Sequence, residues 1–146
     1  MSTIDISRSV EVAAPAPVAW QLVSDYSRDA QWRTGVVTMV PSPLGPVAVG
    51  TTTVEQIRVA GKLWRSDGEV TAVDEGVAFH WRTTAGAVAE GGRTVTPLDG
   101  GRSLVTLQLQ ATPTGLQRLA TPLLRRALTR NLAADADRLA QLVAER

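Results

Sequence analysis

The stretch LQRLATPLLRRALTRNLAADADRLAQLVAER, residues 116–146, decides how the chain is read. Leu124, Leu128, Leu132, Leu139 and Val143 recur at helical spacing, and Leu119, Leu123 and Ala127 widen the apolar stripe. The pattern predicts one long C-terminal helix. Pro122 falls within its first two turns, where a proline marks either the true start or a kink. An amphipathic helix of this length needs a large apolar surface to cover, and the upstream sequence supplies one.

That upstream sequence is β-patterned. Strands are predicted over residues 36–40, 51–59, 62–73, 77–84, 87–97 and 103–111, separated by the turn signals PSPLGP, AG, EG, AG and DGG. Connections this short favour successive antiparallel hairpins. At the N-terminus Ile4, Ile6, Val10 and Val12 share one parity, as in a half-buried strand, with Arg8 interrupting the apolar face. Pro15 and Pro17 end that strand, and Pro17 suits the first turn of a helix carrying Val18, Trp20, Leu22 and Val23. A second helical turn is predicted from Arg28 to Gln31. The order is strand, two short helices, six strands, long helix. It describes an α+β domain with helices gathered on one side of an antiparallel sheet.

Composition narrows the function classes. A chain of 146 residues suits one domain, spanning 1–146. Its net charge of +1 is too small to imply a nucleic-acid or anionic-membrane partner. There is no cysteine for thiolate chemistry, and the one histidine, His80, cannot build a His-based metal site. The first residues lack a secretory h-region, and no apolar run approaches the ~20 residues of a membrane span, so a cytoplasmic location is expected.

Several stretches together resemble the START-like, helix-grip superfamily, also called SRPBCC or polyketide cyclase/dehydrase-like. They are VEVAAPAPVAWQLVSDY (residues 10–26), Gln31-Trp32, Gly50-Thr51, GEVTAVDEG (residues 68–76) and TPLLRRALTRNLAADADRLAQLV (residues 121–143). The resemblance covers essentially the whole chain. It implies a curved seven-stranded antiparallel sheet wrapped around the C-terminal helix, two short helices between strands one and two, and a cavity between sheet and helix. In that fold Trp20 would anchor the first short helix to the sheet. Tyr26 and Trp32 would shape the two-helix cap, with a place at the cavity mouth as the rival role for Trp32.

Hairpin register then assigns faces, because paired residues share one. A two-residue turn at Ala60-Gly61 pairs Ile57 with Trp64 and Glu55 with Ser66. A three-residue turn at Asp99-Gly100-Gly101 pairs Val95 with Val105 and Arg93 with Leu107. A two-residue turn at Glu75-Gly76 pairs Ala72 with Phe79 and Val70 with Trp81, sending His80 and Arg82 outward. Arg8 points inward if its strand alternates regularly. The expected lining is Ile57, Trp64, Val70, Phe79, Trp81, Val105 and Leu107, with Leu119 and Leu123 from the helix. Its polar groups are Thr53, Glu55, Ser66 and Arg93, of which Glu55 and Arg93 are the catalytic candidates. The alternative for these two is a structural ion pair with each other.

Other chemistry reads poorly. His80 has no triad around it, and Asp67 and Glu69 share an outward face. The arginines of the last helix lack the aromatic platform of a nucleic-acid site, and the glycines fit no phosphate loop. No metal and no organic cofactor is implied. The expected function is binding of a hydrophobic polyketide- or lipid-like small molecule, as carrier or sequestering protein. The first alternative is an aromatase/cyclase-like enzyme using Glu55 as acid/base and Arg93 as oxyanion partner. The second is a protein-interaction module. Monomer and dimer are both open.

Overall fold

The computed structural model describes residues 3–145. The chain runs β1 (Ile4–Val12), α1 (Ala16–Val23), a 3-10 helix (Tyr26–Gln31), β2 (Val36–Ser42), β3 (Thr52–Val59), β4 (Lys62–Asp74), β5 (Ala78–Gly86), β6 (Val88–Leu98) and β7 (Arg102–Thr112). A second 3-10 helix (Gly115–Ala120) leads into α2 (Thr121–Ala144). The seven strands form one antiparallel sheet in the order β1-β7-β6-β5-β4-β3-β2. α2 packs against β1 and also reaches β7 and, near the far edge, β3. A flat sheet could not touch one helix at both places. The sheet is curled around α2, which is the helix-grip α+β arrangement.

Turn chemistry sets the registers. Ala60 and Gly61 both take positive φ, the pair of conformations a two-residue hairpin turn needs to follow the strand twist. Val59 therefore pairs with Lys62, Ile57 with Trp64 and Glu55 with Ser66. The Asp99-Gly100-Gly101 turn pairs Val95 with Val105 and Arg93 with Leu107. The β4–β5 hairpin departs from expectation. Its turn has three residues, Glu75-Gly76-Val77, so Val73 rather than Ala72 lies opposite Phe79. A bulge at Thr71 then absorbs one residue and restores the Val70–Trp81 pair. Val73 consequently packs on the core, while Ala72 and Val77 are exposed.

The core lies between the concave face, α1 and the C-terminal half of α2. Trp20 meets Phe79 edge-on at 6.1 Å, and Tyr26 meets the same ring at 5.6 Å. Trp20 Nε1 donates to Glu75, tying α1 to the β4–β5 turn. Leu139 and Val143 of α2 join Val12, Val95 and Val105 in this core. Pro122 sits in the first turn of α2 and so marks its start. The buried residues of α2 are Asp135, Ala136, Leu139 and Val143, all in its C-terminal half. Its N-terminal half, with the 3-10 helix before it, lies as a roof over the open part of the sheet.

Candidate functional site

Beneath that roof is a cavity of about 200 Å³. Thr53, Glu55 and Ile57 of β3, Trp64 and Ser66 of β4, Trp81 of β5, Arg93 of β6 and Leu107 of β7 all line it. These eight are sequence-predicted positions, brought together because the hairpin registers put them on one face.

Five other predicted positions do not line it. Val70, Phe79 and Val105 are on the predicted face but buried deeper, inside the core. Leu119 and Leu123 point the opposite way and are 83% and 60% exposed. The roof presents Leu124, Leu128 and Leu132 to the cavity instead. Both sets keep helical spacing, and packing of Leu139 and Val143 into the core selects the phase. Arg8 stays opposite Leu107 but is exposed on the edge strand and does not line the cavity. His80 is outward, with Thr71 Oγ1 at 2.8 Å from its Nδ1.

The polar end of the cavity is an ionic cluster. Glu55 and Arg93 do not pair with each other. Arg93 makes a two-point contact with Asp29, at 2.9 and 2.7 Å, and donates a third bond to the Val23 carbonyl. Arg33 donates to Glu55 at 2.6 Å and to Asp29 at 3.1 Å, and lies 3.8 Å from Asp135. Asp135 Oδ1 accepts from the Thr34 backbone N–H at 2.9 Å. Burial works against the charge on Arg33, but Glu55, Asp29 and Asp135 outweigh it and hold its pKa above the ordinary arginine value. For Arg93, burial is likewise opposed and outweighed by the charge and hydrogen bonds of Asp29. Burial pushes the Asp135 carboxyl up, against Arg33 and the Thr34 N–H.

Three aromatic rings surround the Arg93 guanidinium: Tyr26 and Trp32 at 4.8 Å and Phe79 at 5.6 Å. Tyr26 and Trp32 also line the cavity. Burial raises the Tyr26 phenol well above its ordinary pKa, with Arg93 opposing, so the hydroxyl is neutral. Among the described residues nothing hydrogen-bonds that hydroxyl. Trp32 Nε1 is likewise buried without a partner.

Sequence reasoning missed Asp29, Arg33 and Asp135. Asp29 and Arg33 meet because the 3-10 helix ends with Arg33 turned back on Asp29, the Arg33 N–H donating to the Asp29 carbonyl at 2.7 Å. A spacing of four residues between opposite charges was the available local signal. Nothing local announced Asp135, which reaches Thr34 across 101 positions of chain. Among the described residues no three His, Asp or Glu are grouped to hold a metal ion. No helix is long and apolar enough to cross a membrane.

A curled sheet gripping one helix over a largely apolar cavity defines a START-like, helix-grip protein. The chain belongs to the family described as polyketide cyclase/dehydrase and lipid transport, which it matches over residues 3–144. None of the curated proteins compared with it matches. Among solved structures it is similar to the ZhuI aromatase/cyclase from Streptomyces sp. R1128, at 17% identity and TM-score 0.85, covering 99% of this chain and 96% of that one. A protein from Thermus thermophilus superposes at TM-score 0.80 and 18% identity, with 97% of each chain covered. A START superfamily protein from Mycobacterium smegmatis gives TM-score 0.76 and 18% identity, again with 97% of each covered. At these identities the likeness is one of fold.

Proposed function

We propose that the protein binds a hydrophobic small molecule, polyketide- or lipid-like, in the cavity under α2 and acts as a carrier or sequestering protein. One observation carries this reading. Both charged groups that catalysis from the cavity wall would use are already engaged: Glu55 by Arg33, and Arg93 by Asp29 and the Val23 carbonyl. What remains open to a ligand is a set of apolar walls with a few hydroxyls, the usual composition of a small-molecule pocket. The family's description, which joins cyclases with lipid transport, supports the same class of ligand.

A second reading is an aromatase/cyclase-like enzyme. The unpartnered, neutral Tyr26 hydroxyl in the cavity favours it, since a phenol there can donate to a carbonyl or enol oxygen. The fold likeness to an aromatase/cyclase is consistent with it.

Native mass spectrometry of the purified protein, before and after denaturation, tests binding. The expected result is a reproducible extra mass that is lost on denaturation. A clean apo mass, with no thermal shift across a panel of lipids and polyketides, would overturn the reading and leave the protein-interaction module standing. Incubation with a poly-β-ketone separates the first two readings. A carrier returns it unchanged, whereas an enzyme that uses the Tyr26 phenol converts it, and Tyr26→Phe keeps binding but loses that turnover.

A further inference from the structure

The outer face of the cavity roof is unlike the rest of the surface. Leu116, Leu119 and Leu123 are 84%, 83% and 60% exposed, and the 3-10 helix carrying the first two buries none of its residues. Helical spacing continues this face from Leu119 and Leu123 to Arg126 and Arg130, with Arg125 on the flank. These three arginines are exposed, and none forms an ion pair among the described residues. Residues 113–134 hold four arginines and no aspartate or glutamate. The remainder of the chain is net acidic, so the overall charge of +1 conceals a strongly basic segment. A net charge close to zero therefore does not argue against an anionic partner here.

We propose that this face docks on an anionic lipid bilayer. An exposed row of leucines continued by arginines has the makeup of a helix that lies in the membrane interface, apolar side chains sunk among the acyl chains and guanidiniums at the headgroups. The ridge holds three exposed leucines, few beside the roughly 20–30 residues a side of a stable protein interface. A deformable apolar medium suits such a ridge better than a rigid acidic protein does. The other side of the same segment, through Gln117, Leu124 and Leu128, lines the cavity. Docking would set the roof against the membrane, so an apolar ligand could pass between them without crossing bulk water. Docking itself rests on the roof alone, and only the ligand transfer rests on the function proposed above.

The test is co-sedimentation with phosphatidylcholine vesicles and with mixed phosphatidylcholine–phosphatidylglycerol vesicles. The wild-type protein should pellet with the anionic vesicles, weakly with the neutral ones, and less as salt is raised. Combining Arg125→Gln, Arg126→Gln and Arg130→Gln should weaken anionic-vesicle binding by about a hundredfold. Combining Leu119→Ser with Leu123→Ser should weaken it by about tenfold or more. Both variants should keep the wild-type thermal midpoint, because the changed side chains are exposed. A Ser66→Phe variant, with its cavity filled, should lose uptake of a hydrophobic probe yet pellet like wild type. Failure of docking and failure of the cavity reading are thereby distinguishable. Absence of wild-type binding to anionic vesicles overturns the proposal, even if the face then captures an acidic protein. So does equal binding by the arginine or the leucine variant.

Discussion

Arg93 and Asp29, 64 positions apart in the chain, are joined by two nearly parallel hydrogen bonds of 2.9 and 2.7 Å. Neither is appreciably exposed, and three aromatic rings enclose the guanidinium. The pair fastens the short helices to the sheet and forms the polar end of the cavity.

Removing one partner should be severe. Asp29→Asn leaves the Arg93 charge buried without compensation, and a loss of ~3–5 kcal/mol is expected for a broken buried pair. Urea denaturation measures it. A loss under about 1 kcal/mol, the range of exposed pairs, would mean that Arg93 finds water or another acceptor.

Asp135 should make stability fall as pH rises through the acidic range. Burial raises its folded pKa above the ordinary 3.8, so between these values the folded state holds a proton that the unfolded state has released. Stability from this group is thus full below the unfolded pKa and declines until pH passes the raised folded value. Asp135→Asn should flatten that part of the profile, measured as unfolding free energy against pH. An unchanged slope would rule out Asp135 as its source.

The cavity should be closable from the sheet side. Ser66→Phe adds a ring to the cavity wall beside Glu55, its cross-strand partner, and fluorescence titration with the neutral probe N-phenyl-1-naphthylamine should show binding lost. Gly68 is a poor choice for the same purpose. A Cβ there would meet Thr53 Oγ1 at 2.9 Å and the Arg82 carbonyl at 3.1 Å, so the fold itself would be strained. Retained probe binding by Ser66→Phe would place the probe elsewhere.

Opposite faces of the roof should respond oppositely. Leu119→Ala should change stability by no more than about 0.5 kcal/mol, as for most exposed positions. Leu128→Trp should weaken naphthylamine binding by crowding the cavity. The reverse pattern in denaturation and titration would mean that the helix is turned the other way.

Gly91 should not tolerate a side chain. A Cβ would lie 2.2 Å from the Gln108 carbonyl and 2.8 Å from the Trp81 ring. Gly91→Ala should cost ~1–3 kcal/mol, the range for overpacking. Thermal and chemical denaturation check it, and a neutral result would mean that the β6–β7 backbone shifts at Gln108 as well as the Trp81 ring.

Where one turn governs a pairing, the pairing was legible from residue order. The Ala60-Gly61 turn was enough to place Glu55 beside Ser66 and to aim both at the cavity. The Thr71 bulge was not legible, because an extra residue in a strand depends on how both strands bend. It moved Ala72 out of the face expected for it and Val73 in.

The α+β order, the hairpin registers on either side of the β4–β5 turn, and the resemblance to the helix-grip family all came from sequence alone. They rest on local physics: side-chain alternation, turn conformations and helical periodicity act over a few residues. Only the tertiary structure decided which leucine stripe of α2 faces the cavity, and that Asp29, Arg33 and Asp135 share one ionic cluster with Glu55 and Arg93. Two stripes of equal periodicity differ only in what packs against them. Charges scattered from position 29 to position 135 acquire partners only when the curled sheet brings β3 and β6 to the short helices and to α2.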